Sequence, residues 1–201
     1  MRYIIDLETK KQLKKLDGRM ARAVRLLTVD EKLYEEGFTA IVDIVIAQQI
    51  SERAHRSIRE AFLRTVGFER ELLAVMDVES LRRCGLSRMK AKTIQRLAGS
   101  GVDFDALARK APDDIRRQLL AFKGLGEWSV EMFRFMAAWD PHVLSLHDVG
   151  IRNAIKDLYD AGDAELEAFK DYFAPHESAA SAYLWAYGRA DKSTRRTIKE
   201  G

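Results

Sequence analysis

Two small groups of residues in this chain have types and spacing that could do chemistry. The first is Gly124-Leu125-Gly126, between an apolar helix end and a second segment carrying Trp128, Val130, Met132, Phe133 and Phe135 at helical spacing. Glycines at such a turn let backbone N–H groups at the start of the following helix approach an anion, and the helix dipole favours negative charge there. The same Gly-x-Gly also reads as a tight helical hairpin in which glycine only supplies backbone freedom. The second group is Ser145-Leu146-His147-Asp148, ahead of another apolar helix. Ser145 and Asp148 read as a cap pair. Asp148 also reads as a carboxylate kept ionised by the positive end of its helix, suited to stabilising a developing cation. Adjacency in sequence does not make Ser145, His147 and Asp148 a hydrolase triad.

The elements that must hold these residues are helical. Three prolines and twelve glycines in 201 residues leave few breakers. Leu13, Leu16, Met20, Val24 and Leu27 recur at helical spacing, and the cations Lys10, Lys14, Arg19, Arg22 and Arg25 read as a solvated face. TAIVDIVIA, residues 39–47, reads as a buried helix that ends at Gln48-Gln49, with Ser51 starting the next. Gly67 and Gly85 close helices, Ser87 caps one carrying Ala91, Ile94 and Leu97, and Pro112 opens one running to Phe122. Further helices are expected over 78–84 and 164–173, with a last one from Pro175. The tail DKSTRRTIKEG, residues 191–201, reads as basic and frayed. With no repeat and no low-complexity linker, the expectation is an all-α protein of two helical lobes with a cleft between them. One lobe spans about residues 30–140, with the hairpin over 113–138, and the other joins 1–29 to 141–190.

Composition removes several classes. Hydrophobic content of 47% and charged content of 32% fit a globular chain, and no apolar run is long enough to span a bilayer. One cysteine, Cys84, excludes an internal disulfide and any four-cysteine zinc or iron–sulfur site, and it reads as a core thiol. With no secretory pattern at the N-terminus, the expected location is intracellular: the nucleoid-associated cytoplasm of a bacterium or the nucleus of a eukaryote. A net charge of +3 is compatible with nucleic acid without demanding it.

Taken together, the motifs resemble a known family. FKGLGEWSVEM followed by LSLHDVGIR is similar to the hairpin and catalytic-aspartate loop of the helix–hairpin–helix superfamily of base-excision DNA glycosylases. AIVDIVIAQQISERAHRSI, CGLSRMKAKTIQRLA and YFAPHESAASAYLWAYG resemble three more of its segments in the right order, spanning residues 40–188. Within the superfamily the chain most resembles the 3-methyladenine DNA glycosylase II type.

The resemblance implies a role for each matching residue. Asp148 is the catalytic carboxylate. Gly124, Leu125 and Gly126 form the phosphate-holding turn, with Lys123 replacing the usual proline and adding a phosphate contact. Gln48, Gln49 and Ser51 face DNA, one glutamine filling the gap left by an extruded nucleotide. Trp128, Met132 and His176 line the base pocket, although Trp128 at a helical spacing also reads as core. The carbonyls of Leu120, Phe122 and Leu125 match a site for a monovalent cation, Na or K, at the DNA-bound hairpin; no other cofactor and no iron–sulfur cluster is implied. Trp128 stands where lyase-active relatives carry a Schiff-base lysine, so strand cleavage is not expected. His176 and Glu177 depart from the family pattern, and no β-rich lobe precedes residue 30. The partner implied is double-stranded DNA containing damaged bases, bound by a monomer that excises alkylated purines such as 3-methyladenine and 7-methylguanine. The competing readings are a same-fold glycosylase for oxidised or mismatched bases, a non-catalytic helical DNA-binding module, and a protein-interaction scaffold.

Overall fold

A computed structural model describes residues 5–29 and 37–201. The expected lobe boundary near residue 30 lies outside the described residues. Among those described, every regular element is a helix: α1 (Leu7–Leu16), α2 (Gly18–Leu26), α3 (Gly37–Ala47), α4 (Glu52–Thr65), α5 (Arg70–Val75), α6 (Val78–Arg82), α7 (Arg88–Ala98), α8 (Phe104–Ala108), α9 (Pro112–Leu120), α10 (Glu127–Met136), α11 (Val149–Tyr159), α12 (Ala168–Phe173), α13 (Glu177–Arg189) and α14 (Lys192–Glu200). The chain divides into two compact units, Leu33–Ala138 and the terminal segments Met1–Lys32 with Trp139–Gly201.

In the central unit α3 is the axle. Its run of Ile41, Val42, Ile44, Val45 and Ile46 is buried on every side, which is why an apolar stretch rich in β-branched residues is stable as a helix. It packs against α4, α7, α8 and α10. Phe104 on the short α8 joins these layers through ring contacts with Phe38, Phe122 and Phe133. The caps follow the sequence: Ser51 accepts the Ala54 N–H, Ser87 accepts the Lys90 N–H, and Pro112 opens α9. The short α5 and α8 have too few turns to show a period in sequence. Cys84 is buried in the turn after α6 rather than within a helix.

In the terminal unit the helical spacing from Leu13 to Leu27 is divided in two. Asp17 caps α2 by accepting the Met20 N–H at 2.8 Å, and its other oxygen accepts the hydroxyls of Tyr159 at 3.1 Å and Tyr172 at 2.5 Å. An N-cap residue is non-helical, so the break falls there. The region over 164–173 is a short 3-10 turn, Asp163–Glu165, then α12. The expected frayed tail is corrected: residues 192–200 form α14. Asp191 caps it, Ile198 is buried, and the Arg22 side chain bonds the carbonyls of Ile198 and Lys199 at its end. A single buried isoleucine on an otherwise polar helix leaves almost no apolar pattern to read. α14 packs on α2, and α11 on α13.

Candidate functional site

The hairpin α9–α10 is braced across its arms by a two-pronged ion pair between Arg116 and Glu127. Its two glycines do different things. Gly124 has φ +105°, and a Cβ there would come within 2.2 Å of Thr93 Oγ1 on α7, so the position excludes a side chain twice over. Gly126 is extended at φ −132°, and a Cβ there would meet nothing within 4 Å. It is the N-cap of α10 and contributes no side-chain acceptor to the first N–H groups of that helix. The turn between them is fixed from behind. The Leu125 N–H donates to the Phe122 carbonyl at 3.1 Å, and the Lys123 carbonyl accepts from Thr93 Oγ1 at 3.2 Å and Arg96 Nη1 at 3.0 Å. The Lys123 side chain is exposed.

The α3–α4 loop meets this turn. Gln48 Nε2 donates to the Gly124 carbonyl and to Ser129 Oγ, both at 2.9 Å. Gln49 is exposed and left-handed at φ 54°, a conformation uncommon outside glycine. Ser51 is exposed and caps α4. Beneath the loop, Lys90 Nζ donates to the Ile46 carbonyl at 2.8 Å, and burial pushes the lysine pKa down. On α10, Trp128 is half-buried, whereas Met132 is 2% exposed. Leu120 ends α9, and Phe122 and Leu125 lie in the turn that follows.

Asp148 and His176 belong to the terminal unit. Asp148 is the N-cap of α11, accepting the Ile151 N–H on Oδ1 at 3.0 Å. The same oxygen accepts the Trp185 indole N–H at 3.1 Å, from α13. A Cβ at Gly150 would stand 2.9 Å from that oxygen, so a glycine there leaves the carboxylate its place. Ser145 is fully buried, and it is Asp148 whose side chain caps the helix. His147 is exposed. His176 is the half-buried N-cap of α13 and makes no side-chain cap bond, while its neighbour Glu177 accepts from His142 Nδ1 at 3.1 Å. Trp185, Gly150, Thr93 and Lys90 were not singled out from the sequence. Trp185 sits in the YLW run, where a packing aromatic and an indole aimed at a carboxylate look alike.

The arrangement offers a carboxylate oriented by a helix start and an indole, and a separate helix start opened by a glycine. The first suits stabilisation of positive charge, the second an anion. Residues 42–171 match the model of the HhH-GPD superfamily of base excision DNA repair proteins. This chain belongs to the HhH-GPD superfamily.

Among superfamily relatives, the Bacillus subtilis protein YfjP, provisionally named a DNA-3-methyladenine glycosylase, is 26% identical over 165 residues, 74% of this chain and 58% of its own length. The alignment thus spans little more than half of that relative. The structure of a DNA-3-methyladenine glycosidase from Bacillus halodurans is 29% identical with a TM-score of 0.73, covering 94% of each chain. Schizosaccharomyces pombe 3-methyladenine DNA glycosylase Mag1, solved with abasic DNA, has the same fold: TM-score 0.81, 22% identity, 91% of this chain and 97% of that one. No helix among the described residues is long and apolar enough to cross a membrane.

Proposed function

We propose that this chain is a monofunctional DNA glycosylase of the 3-methyladenine DNA glycosylase II type, which extrudes alkylated purines from duplex DNA and hydrolyses their N-glycosidic bond. The observation that carries the reading is the Asp148 carboxylate, held by the start of α11 and the Trp185 indole, in a chain of a base-excision repair superfamily. The names of the relatives support alkylated purines as the substrate class.

In this reading the α9–α10 turn grips a backbone phosphate through N–H groups at the start of α10, and Lys123 adds a charge. A base inside a duplex is unreachable, so its nucleotide leaves the stack at a cost of a few kcal/mol. Gln49, exposed next to the anchored Gln48, fills the gap, and Ser51 faces the same strand. Purines alkylated at N3 or N7 carry a positive charge that already weakens the glycosidic bond. The face of Trp128 holds such a cation with about 0.5–2 kcal/mol of attraction. Met132, covered as it is, supports Trp128 from one turn along α10 rather than presenting surface of its own. His176, in the terminal unit, is a further base-contacting residue in this reading. Asp148 stabilises the oxocarbenium-like sugar as the bond breaks and accepts a proton from the attacking water.

Trp128 has no amine to form an imine with the abasic sugar, so the strand stays intact. The carbonyls of Leu120, Phe122 and Leu125 are the type of donor a monovalent cation takes, and the end of α9 leaves carbonyls without helical partners. Such an ion would supply charge beside the bound phosphate. The protein acts as a monomer on double-stranded DNA, in the nucleoid-associated cytoplasm of a bacterium or the nucleus of a eukaryote. The deciding experiment incubates the protein with methylated duplex DNA and identifies the released bases. Release of 3-methyladenine and 7-methylguanine is expected; release of neutral oxidised bases alone, or of none, overturns the reading.

A further inference from the structure

The two glutamines that follow α3 are not equivalent. Both hydrogens of the Gln48 amide are committed, one to the Gly124 carbonyl and one to Ser129 Oγ. A carbonyl only accepts, which fixes which end of the amide is nitrogen. Gln49 is exposed and left-handed. The ground under them is also tied. Lys90 holds the Ile46 carbonyl in the last turn of α3. Three residues further along α7, Thr93 bonds the Lys123 carbonyl and fills the space against Gly124. One turn of α7 therefore supports both the end of α3 and the hairpin turn. Gln48 closes the triangle by a direct bond from the loop to the turn.

We propose that Gln48 is a positioning residue that couples the hairpin's hold on a phosphate to insertion of Gln49 into the base stack, with Lys90 as the loop's fixed point. The proposal rests on the glycosylase reading above. The Gly124 carbonyl belongs to the gripping turn, and the Gln48 amide ties it to the residue before Gln49. Coupling of this kind is reciprocal, so breaking the link should make the two events independent.

The test uses a duplex with a stable tetrahydrofuran abasic analogue flanked by 2-aminopurine, whose fluorescence rises on unstacking. Wild type, Gln48→Met, Gly126→Val and the double variant are compared at saturating protein. Methionine keeps the length of glutamine and removes both donors. Gln48→Met is expected to slow the fluorescence step by up to about 100-fold, the scale of a group misplaced by about 1 Å, while duplex affinity falls far less. Gly126→Val is expected to slow the step in the wild-type background and to add nothing in the Gln48→Met background. Additive losses would show that grip and insertion are independent, and the coupling would be lost. A full fluorescence step in Gln48→Met overturns the proposal too. So does a normal step in Gln49→Ala, since Gln48 would then be the filling residue itself. If Gln48→Met does not fold, Ser129→Ala removes one of the two acceptors and is expected to show a smaller slowing in the same assay; an unchanged step there counts against the link. A wild-type protein that raises no fluorescence removes the glycosylase reading and this one with it. A normal wild-type step with additive variants removes only the coupling.

Discussion

The Trp185 indole N–H and the Ile151 backbone N–H converge on one oxygen, Asp148 Oδ1, at 3.1 and 3.0 Å. Two donors from different helices on a single carboxylate oxygen fix the plane of the group as well as its position.

Asp148→Asn keeps an oxygen for both donors, and asparagine caps helices about as well as aspartate, so stability should change by less than about 1 kcal/mol. Excision from methylated duplex should fall by about 100-fold or more, because the charge that meets the developing sugar cation is gone. Affinity for an abasic-analogue duplex should hold or rise, since the anion no longer faces phosphates. Single-turnover release and gel-shift titration read the two effects separately.

The orientation of Asp148 can be disturbed without touching its charge. Alanine at Gly150 favours the helix by up to about 1 kcal/mol, yet its methyl would stand against Oδ1. Gly150→Ala should therefore lose excision without losing thermal stability. Trp185→Phe should also lose excision, through removal of one donor worth about 1 kcal/mol. Melting curves alongside single-turnover rates check both; normal rates in both variants would make the indole contact a packing detail.

The two hairpin glycines should respond oppositely to substitution. Gly124→Ala forces a side chain into a left-handed position and onto Thr93, and should destabilise the protein by about 1–3 kcal/mol. Gly126→Val meets open space and should fold normally, while losing affinity for damaged and undamaged duplex alike. One lost phosphate contact should flatten the log–log salt slope by roughly 0.9. Denaturant melts and binding titrations across salt concentrations check the pair.

Borohydride added during turnover should trap no covalent protein–DNA adduct, and the product strand should stay uncut until alkali is added. Trapping at a stoichiometric level would show that an amine elsewhere in the chain forms the imine.

Removing α14 should be costly. Ile198 is fully buried and Arg22 bonds the helix end. Ile198→Ala should lower stability by about 2–5 kcal/mol, measured by chemical denaturation.

Much of the helix framework was legible because helix signals are local. The buried α3, the caps at Ser51 and Ser87 and the proline at the start of α9 all sit in a few adjacent residues. The break at Asp17 was not, because the tyrosines that use that carboxylate lie at 159 and 172. α14 escaped for a related reason: one isoleucine supplies its buried contact, and the rest of the segment is polar. The motifs around Gly124 and Asp148 could be picked out by residue type and spacing. The partners that give them shape come from remote positions: Thr93 against Gly124, Gln48 on its carbonyl, Trp185 on Asp148. Spacing names the residue that carries a charge or lacks a side chain, but not the one that holds it in place.

Gln49 adopts a backbone conformation that glycine takes without penalty and glutamine does not. A campaign to make this protein more heat-resistant would reach that position early, and glycine there would register as a gain. The improved variant would lose the side chain assigned to the vacated stack. On the proposed role of Gln49, thermal screening and selection for repair would therefore rank the same substitution at opposite ends, and a library sorted by melting temperature alone would be enriched in molecules that lack the gap-filling side chain.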